Sequence, residues 1–119
     1  MPARTLFECA GKLSFNGLSN LSDFAAGVYL AALASPAREN EAKHVRAGLR
    51  HFARYLKRPP RVNDLTTPTL TGFCFWLMEH GRARSTCDRY RATLLRIGAT
   101  ACAGGILSVA PKVARMRAR

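Results

Sequence analysis

The sequence predicts an all-α fold, a compact bundle of four principal helices. Apolar residues recur at helical spacing in four segments, and the boundaries between segments carry Pro, Gly and short hydroxyl residues. No segment alternates with the period of a half-buried strand. At 119 residues, 48% of them hydrophobic, the chain is expected to form one domain with its own core.

Residues 1–20 hold Gly11, Asn16, Gly17 and Asn20 without a clear period, and are expected to form a loose lead-in. The domain is expected over 21–110. The first helix is expected from Leu21 to Ala34, with Leu21, Phe24, Ala25, Val28 and Ala32 as its stripe. Within it, "FAAGVYLAALAS" has the look of a signal-peptide core. Asp23 abuts the run, its leader is long, and it is too short to span a bilayer, so it reads as a buried helix. Ser35–Pro36 closes that helix and caps the next, which runs from Pro36 to about Lys57 on a Val45, Leu49, Phe52, Leu56 stripe.

After the loop "RPPRVNDLTTP", Thr67 is expected to cap a third helix carrying Leu70, Phe73, Cys74 and Leu77, with Gly81 as its stop. Phe75 and Trp76 lie off the centre of that stripe and are expected to meet the first helix or a partner. The fourth helix is expected to start at Ser85, with Asp88 as capping-box partner and a Tyr90, Leu94, Ile97, Ala101 stripe, ending at Gly104–Gly105. Residues 111–119 read as the start of a basic linker.

The net charge is +12, and fifteen of the nineteen Lys/Arg residues are arginine. Guanidinium forks suit phosphates and guanine edges, so nucleic acid is the first partner to expect. The excess is concentrated: residues 36–58 carry a net +5 and residues 82–96 a net +4, with four more bases after Pro111. At 100° per residue, Lys43, Arg46, Arg50, Arg54 and Lys57 fall within an arc of roughly 80°, away from the apolar stripe. A solvated helix usually mixes signs, because like charges at i,i+4 cost a few tenths of a kcal/mol each. An uninterrupted cationic ridge therefore points to a phosphate partner.

On the fourth helix, Arg89, Thr93 and Arg96 are expected on an outward face able to reach base edges. Ser85 and Thr86 lie beside free amide groups at its amino end, and Arg82 and Arg84 in the preceding loop are expected to contact phosphates. Arg91 sits at the edge of the stripe. His44 and His51 are expected to flank the ridge at the surface.

Four scattered cysteines, Cys9, Cys74, Cys87 and Cys102, have no metal-ligand or redox-motif spacing and read as reduced thiols. No nucleotide-binding loop, nucleophile elbow, zinc-protease helix or carboxylate pair occurs. The chain is expected to need no cofactor, metal, membrane or small-molecule substrate, and to perform no catalysis alone.

From Val45 to Pro111 the order of signals resembles one known family. "HVRAGLRHFARYLKR", then "VNDLTTPTLTGFCFWL", then "HGRARSTCDRYRATLLRIGATACAGGILSVAP" is similar to the core-binding domain of tyrosine recombinases, the phage-integrase family. The upstream "LSDFAAGVYL" is similar to the family's opening helix, so the resemblance covers about residues 21–115. It implies a SAM-like four-helix domain forming half of a DNA clamp, with the helices Pro36–Lys57 and Ser85–Ala103 across the major groove. It implies sister protomers as partners in a synaptic complex, met through apolar residues around Val28–Leu33. It also implies a cytoplasmic protein of bacterial or phage origin. The family's arginine, lysine, histidine and tyrosine catalytic set lies in a second domain; by the resemblance this chain is an excised or truncated piece of a strand-exchange enzyme, ending where the interdomain linker should begin. Two other classes fit a basic helical chain: a helix-turn-helix regulator, disfavoured by the loop of about ten residues between the second and third helices, and a SAM-like protein-interaction domain.

Overall fold

The computed structural model describes residues 15–115. Cys9, the lead-in through residue 14 and the tail from residue 116 lie outside the described residues. Helix α1 begins at Leu21–Phe24 and continues through a π-turn, Ala25–Tyr29, into a 3₁₀ turn, Leu30–Ala32. Helices α2 (Ala37–Leu56), α3 (Thr67–Glu79) and α4 (Arg84–Ala103) follow, with a 3₁₀ turn at Val62–Asp64. Among the described residues there is no strand, only an isolated bridge between Asn20 and Arg61. The chain is mainly helical, as its periodicity predicts.

Helix α4 packs against both α2 and α3. Its buried arc is therefore wider than one stripe: Cys87, Thr93, Leu94, Ile97, Gly98 and Ala101 are all enclosed. The α2 stripe is confirmed at Val45, Leu49 and Phe52, and the α3 stripe at Leu70, Phe73, Cys74 and Leu77. In α1 the expected register slips. The π-turn adds a residue to one turn, so Tyr29 is buried, Val28 is only half-buried and Ala32 is exposed. Trp76 packs on Tyr55 of α2, ring centroids 5.7 Å apart, and on His80, rather than on α1. Phe75 stays outside.

Three caps differ from the expected ones. The α2 N-cap is Pro36, after a cis Ser35–Pro36 bond; the Ser35 hydroxyl donates to Glu39 instead, at 2.8 Å. For α3 the cap is Thr66, whose Oγ1 accepts from the Thr69 amide. Thr67 Oγ1 is left to accept from the Lys112 amide at 3.0 Å. Ala83 precedes α4 without a side-chain cap, and Asp88 instead lies 3.5 Å from Arg91 and 3.7 Å from Arg115.

The described residues on either side of the helices, 15–20 and 111–115, pack back on them. Phe15 meets Phe24 edge to face at 5.4 Å. The Val62 and Asn63 amides donate to Ser19 and Gly17. After α4 the chain folds back: Pro111 is buried, and Arg91 donates to the Val113 carbonyl at 2.9 Å. A Cβ on Gly98 would lie 2.6 Å from Pro111 Cγ and 2.8 Å from its Cδ. Gly98→Ala should therefore destabilise the fold although alanine is the better helix former. Overpacking of about 1–3 kcal/mol outweighs about 1 kcal/mol of propensity, which thermal unfolding would register as a lower Tm.

Candidate nucleic-acid interface

Helix α2 ends in a left-handed residue. Lys57 has φ 61° and ψ 30°, and its amide donates to the Ala53 carbonyl at 2.7 Å. Lys57 is exposed, but it has left the helical register that would align it with the ridge. Lysine in this conformation carries strain that glycine avoids. Lys57→Gly should raise stability by about 0.5–1 kcal/mol, read in a denaturant titration, and change DNA affinity less than any arginine substitution on α2.

The helical part of the ridge is present. Lys43, Arg46, Arg50 and Arg54 are all exposed, along a stretch of helix that rises about 16 Å. Among the described residues none of the four is in an ion pair; Glu41, Asp64 and Asp88 pair with other arginines. Asp64 takes a bidentate pair from Arg58, 2.8 and 2.6 Å. Burial raises the Asp64 pKa, but the Arg58 hydrogen bonds, the Arg61 amide and the two guanidinium charges outweigh it and hold the group low.

His51 is buried, not at the surface. Its ring lies against Tyr90, centroids 5.3 Å apart, at 7% exposure. Burial first, then the charges of Arg82, Arg50 and Arg54, lower its pKa, favouring the neutral ring. The charge of Arg82, in the loop before α4, acts on the same ring as those of Arg50 and Arg54. Two clusters that are more than 25 residues apart in sequence thus act on one imidazole.

Helix α4 splits into two parts. At its amino end Arg84, Ser85 and Arg89 are exposed and Thr86 is half-buried. Further along, the expected outward face fails. Thr93 is fully buried, because α4 is covered on more than one side by α2, α3 and the π-turn of α1. Arg96 is half exposed, but its guanidinium turns inward: Nε donates to the Tyr29 hydroxyl at 2.9 Å and Nη2 to Glu41 at 2.8 Å. Tyr29 in turn donates to the same Glu41 oxygen. This three-residue tie between α1, α2 and α4 had no signal in the sequence, since its members are 12 and 55 residues apart. Arg96 and Thr93 are therefore structural, and the candidate interface reduces to Lys43, Arg46, Arg50, Arg54, Arg82, Arg84, Ser85, Thr86 and Arg89, with Lys57 at its edge.

Sequence reading also missed a groove of about 1020 Å³ between α1 and α2. Its floor includes Ala26, Leu30, Val45, Leu49 and Ala53, and Arg46, Arg50 and Arg54 run along one wall. Residues around Val28–Leu33, expected as an apolar protomer contact, are only partly so: Val28, Leu30 and Leu33 are half-buried, with Ala31 and Ala32 exposed.

Among the described residues no group of three or more His, Cys, Asp or Glu side chains could hold a metal ion, and no helix is long and apolar enough to cross a membrane. Cys74 is a buried free thiol, and burial pushes its pKa up to about 11. A protonated, enclosed thiol is a poor nucleophile. Comparisons with protein-family models, with curated proteins and with solved structures find no match for this chain.

Proposed function

We propose that this chain is a duplex-DNA-binding module of the kind that tyrosine recombinases use to hold their core sites. The arginine ridge of α2 would grip phosphates, and Arg82 and the amino end of α4 would extend the contact. A single observation carries the DNA reading: four exposed cations stand in a row on α2 with no acid partner among the described residues, while Glu41, Asp64 and Asp88 pair with arginines off the ridge. Like charges four residues apart destabilise a helix, and a polyphosphate offsets that cost. The recombinase part of the reading rests on the resemblance of residues 21–115, and with it the strand-exchange role of a parent enzyme and the sister protomers. A helix-turn-helix regulator fits less well, because residues 57–66, with a 3₁₀ turn, separate α2 from α3.

The test is duplex binding across a salt series. If Lys43, Arg46, Arg50, Arg54 and Arg82 each neutralise one phosphate, log K should fall against log salt with a slope of about −4.5. A slope near zero, or no binding at about 50 mM salt, overturns the reading.

A further inference from the structure

We infer that the groove between α1 and α2 is a docking site for an acidic amphipathic helix of a partner protein. The inference goes beyond DNA binding and stands on different atoms, the apolar floor, although it shares the arginine wall. Ala26, Leu30, Val45, Leu49 and Ala53 line the groove. Arg46, Arg50 and Arg54 follow one another at four-residue intervals along its α2 wall, a spacing of about 6 Å along the axis.

The chemistry selects the occupant. A duplex can pair with the arginines but has no apolar stripe to cover the floor. A single-headed amphiphile would use one arginine and leave the others. An extended peptide needs main-chain partners, and α2 offers none here because its amides and carbonyls are bonded within the helix. A helix satisfies its own backbone and lays an i, i+3, i+4, i+7 stripe on the floor. Carboxylates at i, i+4 and i+8 on its flank then repeat at the same rise as the arginines. The opposite lip carries Asn20, Ser22 and Asp23, so the partner's other flank is polar or basic rather than acidic. Partner and DNA would compete for Arg46, Arg50 and Arg54.

The probe is a labelled synthetic peptide of about 18 residues, five turns of helix, with leucines on one stripe and glutamates at i, i+4 and i+8 beside it. A scrambled peptide of equal composition is the control. In fluorescence anisotropy at about 150 mM salt the ordered peptide should bind at least about tenfold more tightly than the scrambled one. It should also gain helical circular dichroism on binding. The double variant Ala26→Gln/Ala53→Gln puts polar groups on the floor without altering charge, and Ala26 is exposed, so the fold should tolerate it. It should abolish the preference for the ordered peptide and leave duplex affinity within about twofold. Equal binding of both peptides, or full preference in the double variant, overturns the inference. Peptide preference without duplex binding upholds the groove and overturns the DNA reading; duplex binding without peptide preference does the reverse.

Discussion

Replacing Arg46, Arg50 and Arg54 together by glutamine should weaken duplex binding several hundredfold at about 0.1 M salt and flatten the salt slope by about 2.7. The estimate follows from counterion release: each phosphate contact contributes about 0.9 log units per decade of salt. The same variant should be no less stable than the parent, because two like-charge i,i+4 pairs are removed, each worth a few tenths of a kcal/mol. All three side chains are exposed and bear no ion pair among the described residues. Binding and stability therefore move in opposite directions, which separates a ligand-gripping ridge from a structural one. An unchanged slope would remove α2 from the interface.

The second large effect concerns the tie between helices. Glu41→Ala should cost about 1–3 kcal/mol, since it leaves the half-buried Tyr29 hydroxyl and the Arg96 guanidinium without their shared acceptor. The lower half of that range is the better expectation, because the Arg96 side chain is 50% exposed and water can replace part of what is lost. Glu41→Gln keeps an acceptor and should cost less. The pH dependence carries a definite sign. Burial raises the Glu41 pKa, but the Tyr29 and Arg96 hydrogen bonds and the Arg96 charge outweigh it, so the folded value lies below the unfolded one. Its stabilisation is thus present above the ordinary carboxylate range and is lost as pH falls through the depressed folded value. Denaturant titrations at neutral and acid pH should show the parent losing more stability than Glu41→Ala. Parallel curves for the two would count against the tie. His51 adds to acid sensitivity at higher pH: its lowered folded pKa means that the unfolded chain takes up a proton first as pH drops below its ordinary value.

The pairing of Arg96 with Glu41 was not legible in the sequence; the faces of α2 were. In α2, the stripe Val45, Leu49, Phe52 and the ridge Lys43, Arg46, Arg50, Arg54 both follow from local periodicity. The stop at Gly81, with φ 80°, and the turn at Gly105 were equally local. Thr93 and Arg96 were not, since a helical wheel centred on one apolar stripe assigns a single inward face and α4 packs against α2, α3 and the π-turn of α1. Lys57 was misplaced because one left-handed residue ends the register on which the wheel depends.

Residue order alone thus determined the helices, their apolar stripes and the segregation of charge, because each is set within a few turns by 3.6-residue spacing and by proline, glycine and hydroxyl stops. Only the tertiary structure decided which charged groups are free. It turned Arg96 inward to Glu41 and Tyr29, enclosed His51 against Tyr90 and opened an apolar groove beside the ridge. Those outcomes depend on contacts between segments distant in the chain, and short-range periodicity carries no information about them.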